Sequence, residues 1–159
     1  MFTQFLTGLF LLIAGSAISI PVPGISVPVT LQTLALHLNA GLLHPQVSIA
    51  VISIYVFGGM ILQIPWFAAP PTAKTSGYLL AFVWLTIVES VLKLPGFWAS
   101  VAFCGACDFL LLVQGAVVYR LLQPTGQETP IQKLIVPFIM PDLVKCILAQ
   151  TFVHLLSRQ

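Results

Sequence analysis

An acidic and a basic side chain stand three residues apart in the last apolar stretch of this sequence. Asp142 and Lys145 share one helical face at the i, i+3 spacing, and Pro137 and Pro141 precede them. Each charge partly compensates the other in apolar surroundings, and both can point into a cavity. A pair that only neutralised itself would stabilise the protein no better than two apolar side chains in the same place. The spacing therefore favours a site for a small polar ligand, with plain structural pairing as the alternative.

A second group of polar residues lies in an earlier apolar segment. Gln32 and Asn39 share a helical face at i, i+7, and Thr30, Thr33 and His37 lie on the neighbouring face. Threonine and glutamine in membrane helices also bond to other helices. Both a ligand-binding role and a helix–helix role are open at this point.

Two further positions place charge inside or beside apolar segments. Asp108 lies halfway along its segment without a charged partner nearby in sequence, so it must face the bundle interior, be protonated or pair across helices. Glu89 and Lys93 are spaced i, i+4 just before Pro95-Gly96. That spacing predicts a surface ion pair at the membrane interface.

The cysteines and histidines do not form a recognised metal pattern along the chain. Cys104, Cys107 and Cys146 lie inside apolar runs, where we expect small buried apolar side chains. Cys104-x-x-Cys107 is a lone motif, which is too weak to predict a metal or redox pair. The histidines, His37, His44 and His154, are far apart and lack a helical His/Glu spacing. We therefore expect no metal and no cofactor.

The composition determines which elements must position these residues. Of the 159 residues, 58% are apolar and 6% are charged, with four acidic and six basic side chains. A soluble domain carries roughly 25% charged residues, so the chain belongs in a membrane. The apolar runs are continuous rather than alternating, which favours helices over barrel strands. Crossing a bilayer takes roughly 20 helical residues, so the length allows about six spans.

Proline, glycine and charge divide the sequence into six predicted helices of one integral membrane domain covering 1–159. Their predicted bounds are 5–20, 30–43, 47–64, 78–92, 97–122 and 134–156. The second is too short to span unaided, so part of the preceding loop must share the crossing. That loop, 21–28, holds three prolines and a glycine, so it cannot be helical. We expect it to lie against the bundle as a lid or wall of a binding site.

Several function classes are excluded or disfavoured. The six bases are scattered singly, which gives no nucleic-acid footprint. No Gly-x4-Gly-Lys loop is present, so the chain does not bind ATP in the P-loop manner. Lys and Arg counts do not fix the membrane orientation. Binding or transport of a solute fits better than catalysis.

Long stretches of the sequence resemble the BioY family, the biotin-capturing membrane components of energy-coupling-factor (ECF) transporters. The resemblance rests on Ile18-Ser19-Ile20-Pro21-Val22-Pro23, Val27-Pro28-Val29-Thr30-Leu31-Gln32-Thr33-Leu34-Ala35, Ala40-Gly41-Leu42-Leu43-His44-Pro45, Tyr55 with Gly58-Gly59, Ile64-Pro65-Trp66-Phe67-Ala68, Gly77-Tyr78-Leu79-Leu80-Ala81-Phe82, and Pro137-Phe138 with Asp142-Leu143-Val144-Lys145. It covers nearly the whole chain and is weakest over 84–136.

The resemblance implies a six-helix protein of the bacterial cytoplasmic membrane that captures biotin, with the first loop closing over it. Its partners would be membrane lipids, a transmembrane coupling subunit and a pair of cytoplasmic ATPases. Asp142 would accept from the ureido N–H groups, and Lys145 would donate to the ureido oxygen or the tail carboxylate. Gln32 and Thr33 would add hydrogen bonds, and Tyr78 would supply a flat apolar wall with a polar edge.

The sequence departs from the family pattern at several places. The 69–76 connection is short and carries a lysine, Met140-Pro141 replaces the usual Pro-Gly, and Ala81 stands where glycine is common. The Ala-x3-Ala element that docks the coupling subunit is not evident in the first helix, and Gly8 and Gly15 are a hypothesised substitute.

Two alternatives to an ECF component are kept. One is a stand-alone vitamin permease. The other is a membrane enzyme using Glu89, Asp108 and Asp142, for which Asp108→Asn would abolish turnover while sparing binding.

Overall fold

The described part of the chain holds six helices, as predicted. The computed structural model describes residues 1–23, 28–62, 76–123 and 130–157. Its helices are α1 (Phe2–Ala17), α2 (Gln32–Leu42), α3 (Pro45–Leu62), α4 (Ser76–Val91), α5 (Phe97–Leu121) and α6 (Ile131–Leu156). The bounds differ from the predicted ones by a few residues, and the predicted end of the third helix at 64 lies outside the described residues.

The outer surface of the bundle is apolar. Large side chains such as Phe10, Ile61, Trp98 and Leu121 are each more than two-thirds exposed. A soluble protein does not present apolar surface on this scale. Helices α3, α5 and α6 are long and apolar enough to cross a membrane, and α1 and α4 are shorter apolar helices. The chain is therefore a multi-pass membrane protein.

Helix α2 is short and central. Its 11 residues extend about 16 Å, well short of a bilayer core, and it packs against α1, α4 and α6. The prediction that the second helix does not span alone is confirmed. Its position brings its polar side chains into contact with three other helices.

The loop before α2 contains a short strand pair that the sequence did not predict. Strand β1 (Ser19–Ile20) pairs antiparallel with β2 (Val29–Thr30), with Ser19 opposite Thr30. Val22 packs partly against the core, in keeping with a loop that lies on the bundle. Residues 24–27 lie outside the described residues, as does nearly all of the 69–76 connection, and the lid role stays a prediction.

Gly8 and Gly15 face the chain's own interior. The Asn39 side-chain amide donates to the Gly8 carbonyl oxygen at 3.0 Å, and a Cβ on Gly15 would lie 2.8 Å from the Leu31 carbonyl oxygen. Their small size allows α1 to approach α2 and the residue before it. The hypothesis that these glycines dock a partner subunit is therefore wrong.

Gly41 allows the end of α2 to approach α6 closely. A Cβ there would lie 2.3 Å from Cγ2 of Val153. We expect Gly41→Ala to lower the free energy of unfolding by about 1–3 kcal/mol through overpacking. Combining it with Val153→Ala, which removes the clashing methyl groups, is expected to recover part of that loss. Thermal denaturation in detergent measures both, and a Gly41→Ala variant as stable as the parent would contradict this packing.

Candidate substrate-binding site

The acid–base pair of α6 meets a threonine of α2 inside the bundle. The Lys145 ammonium donates to Asp142 Oδ1 at 2.6 Å and to Thr33 Oγ1 at 3.0 Å. The Thr33 hydroxyl lies 3.4 Å from the same Asp142 oxygen. All three residues are buried, with exposed fractions of 4–7%. The structure thus brings together three of the five predicted site residues.

Thr33, Asp142 and Lys145 form a polar triad that still has unused hydrogen-bonding capacity. Both bonds to Asp142 use Oδ1, and Oδ2 has no hydrogen-bond partner within the parts of the chain that are described. An ammonium group has three N–H donors, and two of those on Lys145 are engaged. An acceptor and a donor are therefore available to a ligand on the same patch.

Helix α6 continues through both of its prolines before it reaches the triad. Pro137 and Pro141 lie inside the helix, and each lacks the N–H that would bond to the carbonyl four residues earlier. The departure from the family pattern at Met140-Pro141 therefore leaves the local backbone helical. Asp142 directly follows the second proline and keeps the helical register that places it beside Lys145.

Gln32 lies at the start of α2 and bonds to α3 rather than to the triad. Its side-chain amide donates to the Tyr55 hydroxyl at 2.7 Å, and its carbonyl oxygen accepts from the Thr30 hydroxyl at 3.2 Å. Gln32 and Thr33 are neighbours in the sequence, but their side chains have different partners. Of the two roles left open for this group of residues, Gln32 therefore has the helix–helix role. A contact between Gln32 and a ligand stays a prediction.

Removing the Tyr55 hydroxyl tests the hydrogen bonds that it makes, among them this link between α2 and α3. Tyr55→Phe leaves the Gln32 amide without its acceptor, and we expect a loss of about 0.5–1.5 kcal/mol in unfolding free energy. Chemical or thermal denaturation measures it. The ring of Tyr55 is fully buried, and phenylalanine retains that packing, so an unchanged stability would mean that the hydrogen bond contributes nothing.

Tyr78 lies in the first turns of α4, with its ring against α5. A Cβ on Gly115 would lie 2.2 Å from two ring carbons of Tyr78, so the ring occupies the space that glycine leaves open. The Tyr78 hydroxyl is buried and has no hydrogen-bond partner among the described residues. A buried hydroxyl without a partner is unusual, and a ligand could supply one.

A second polar cluster lies one helical turn further along α2 and was not predicted. His37 Nδ1 is 2.7 Å from Glu89 Oε2, and His37 Nε2 is 3.0 Å from Asp108 Oδ2. The imidazole is fully buried, and the exposed fractions of Glu89 and Asp108 are 7% and 2%. The sequence left three options open for Asp108. In the structure its side chain faces the bundle interior and pairs with His37 of another helix.

The predicted surface ion pair between Glu89 and Lys93 is wrong. Glu89 points into the bundle toward His37, and the Lys93 ammonium donates to the Ala40 carbonyl oxygen instead. The i, i+4 spacing puts the two side chains on one face of α4, but it does not tell which helix that face meets. One sequence signal could have found the cluster. Glu89, Asp108 and His37 lie in three separate apolar segments, where a lone ionisable side chain is costly to bury, and pairing them with one another reduces that cost.

The fold and the buried triad define a helical multi-pass membrane protein with a polar site in its interior. Its sequence matches the model of the BioY family over residues 1–159, and the chain belongs to that family.

A solved structure has the same fold. The chain aligns with a crystal structure at 2.1 Å of the S-component for biotin from an ECF-type ABC transporter, with a TM-score of 0.77 and 18% identity. The alignment covers 99% of this chain and 89% of the other. A comparison with curated proteins finds no match.

Proposed function

We propose that this protein binds biotin at the polar triad and serves as the substrate-specific component of an ECF transporter. The observation that carries the proposal is the buried Asp142–Lys145 pair, joined to Thr33 of α2, in a chain of the BioY family. The solved structure with the same fold is an S-component for biotin.

Biotin matches the unused groups of the triad chemically. Its ureido ring offers two N–H donors and one carbonyl acceptor, and its tail ends in a carboxylate. Asp142 Oδ2 accepts from a ureido N–H, and the third N–H of Lys145 donates to the ureido oxygen or to the tail carboxylate. The Tyr78 ring faces the apolar part of the ligand. No covalent step is involved.

Uptake needs partners that this chain does not supply. The sequence lacks a P-loop motif, so ATP hydrolysis belongs to a pair of cytoplasmic ATPases, which a transmembrane coupling subunit links to the bundle. In this proposal the chain lies in the bacterial cytoplasmic membrane, and uptake follows from a change in which side of the membrane the bound site faces.

Calorimetric titration of the purified chain with several vitamins tests the ligand. Biotin is expected to bind with high affinity and desthiobiotin, which keeps the ureido group and carboxylate but lacks the sulfur, more weakly. Thiamine and riboflavin present neither group in that arrangement and are the matched negative ligands. No heat with biotin, or equal heats with thiamine, would overturn the assignment.

Transport by the chain alone separates this proposal from a stand-alone permease. Vesicles that contain only this protein are expected to bind biotin without accumulating it, whereas addition of the coupling subunit and ATPases gives ATP-dependent uptake. Uptake by the chain alone, with ATP making no difference, would favour the permease.

A further inference from the structure

The cluster around His37 brings metal-ligating atoms from three helices together. A ring nitrogen of His37 (α2) and the sulfurs of Cys104 (α5) and Cys146 (α6) all lie within 4.8 Å of one another, and all three residues are buried. Asp108 of α5 adds an oxygen, which lies 3.0 Å from His37 Nε2 and 3.2 Å from the Cys146 sulfur. We propose that these four side chains form a binding site for a Zn²⁺-type divalent metal ion.

The spacing of three of the four donor atoms suits tetrahedral coordination. Zinc bonds of about 2.0–2.3 Å at tetrahedral angles place neighbouring ligand atoms roughly 3.3–3.8 Å apart. The separations of Asp108 Oδ2 from His37 Nε2 and from the Cys146 sulfur are 3.0 and 3.2 Å, and the Cys146 sulfur lies 3.9 Å from His37 Nε2. His37, Asp108 and Cys146 therefore already present three donors close to coordination distances from one another, and the Cys104 sulfur lies within 4.8 Å of the His37 and Cys146 ligand atoms. Sulfur and imidazole nitrogen are donors that Zn²⁺ prefers.

The hydrogen bond of the other imidazole nitrogen prepares His37 to ligate. Nδ1 is 2.7 Å from Glu89 Oε2, so a proton on Nδ1 is donated to this carboxylate and Nε2 presents its lone pair. Metal-ligating histidines commonly have such a carboxylate behind them. Nε2 then lies 3.0 Å from Asp108 Oδ2. Because both atoms would be acceptors, a proton or a cation must lie between them to hold them this close.

A proton alone would not account for the whole cluster. A protonated His37 would pair with one oxygen each of Glu89 and Asp108. Neither sulfur is needed to pair the two carboxylates with a protonated imidazole, yet both sulfurs lie within 4.8 Å of the His37 ligand atom. A metal ion uses all four donors and offsets part of the negative charge that they bring.

A cavity gives the site a route to the surface. Its volume is about 270 Å³, and its lining includes the buried His37, Glu89 and Cys104 as well as the exposed Lys93 and Ser157. A hydrated ion can therefore reach the cluster from the end of the bundle where α4 and α6 finish.

Titration of the purified, chelator-treated protein with Co²⁺ tests the site, because cobalt bound to thiolate gives a near-ultraviolet charge-transfer band. We expect a band that saturates at one ion per chain and is displaced by Zn²⁺. Cys104→Ser and Cys146→Ser are each expected to weaken or abolish it. The matched control is Cys107→Ser, since Cys107 is also buried on α5 but lies outside the ligand set, and it should leave the band intact.

Glu89→Gln tests the positioning role of the carboxylate behind His37. We expect it to weaken Co²⁺ affinity by roughly 10- to 100-fold while the charge-transfer band keeps its position, since the ligands are unchanged. Biotin titration of every variant checks that the bundle is folded. Absence of a charge-transfer band in the parent protein, or a band that Cys107→Ser alters and Cys146→Ser does not, would overturn the proposal, and biotin binding would then stand independently.

Discussion

Lys145→Ala is expected to reduce the affinity of the purified protein for biotin by roughly 10- to 100-fold. The ammonium is a charge-assisted donor, and losing such a bond costs roughly 1.5–3 kcal/mol. It also holds Asp142 Oδ1 at 2.6 Å and Thr33 Oγ1 at 3.0 Å, so its removal leaves a buried carboxylate without its cation. Isothermal titration calorimetry measures the change.

Lys133→Ala is the matched control for this experiment. Lys133 lies in the first turn of the same helix but is exposed, so its removal should leave biotin affinity unchanged. If Lys145→Ala does not fold, Thr33→Val keeps the ion pair and a similar side-chain shape and is expected to cost roughly 2- to 10-fold in affinity. Unchanged affinity in folded Lys145→Ala protein would show that Lys145 does not contact the ligand.

Gly115→Ala is expected to have the second large effect, acting through Tyr78. The added Cβ would lie 2.2 Å from the Tyr78 ring, and the ring is too rigid and too buried to move aside without shifting α4 or α5. We expect a loss of about 1–3 kcal/mol in unfolding free energy. Biotin affinity should fall as well, because the displaced ring would no longer form the wall that the proposal assigns to it.

Gly105→Ala controls for the change from glycine to alanine within α5. A Cβ at Gly105 meets nothing within 4 Å, so alanine there is expected to leave stability unchanged or raise it by up to about 1 kcal/mol. Equal stability of the Gly115→Ala and Gly105→Ala proteins would contradict the close packing of Tyr78 on α5.

The helices could be predicted from the sequence because each depends on local features. Six apolar runs, separated by proline, glycine and charge, correspond to the six helices, and the short second run corresponds to the short α2. The strand pair at Ser19–Ile20 and Val29–Thr30 was missed, because strands of two residues among prolines leave almost no periodic signal.

The triad was predictable in part for the same reason. Asp142 and Lys145 lie on one helix, where spacing alone places them side by side. The contact with Thr33 depends on how α2 meets α6, which no local pattern states. The resemblance to BioY directed attention to Thr33, and the structure brings it to 3.0 Å from Lys145.

The His37 cluster could not be assembled from the sequence, since its members come from four helices. The spacing of Glu89 and Lys93 suggested the wrong pair, and the lone Cys-x-x-Cys spacing of Cys104 and Cys107 predicted no pair at all. In the fold, the sulfur that approaches Cys104 and His37 belongs to Cys146 on another helix. Sequence spacing describes one helix at a time, whereas a buried polar cluster depends on which helix faces meet.

The polar triad and the His37 cluster form two polar layers that lie next to each other in the bundle. His37 follows Thr33 by four residues on α2, and Cys146 follows Asp142 by four on α6, so the layers are separated by about 6 Å along the helices. In our proposals the layer with Lys145 holds the vitamin, and the layer with His37 holds a metal ion that ties together the helices that carry the first.

A crystal structure of the protein with biotin bound is the most direct test of the central claim. We expect the ureido group to lie within hydrogen-bond distance, about 2.7–3.2 Å, of Asp142, with Lys145 bonded to the ureido oxygen or to the tail carboxylate. Biotin bound elsewhere on the protein, with Asp142 and Lys145 still paired only to each other and to Thr33, would contradict it.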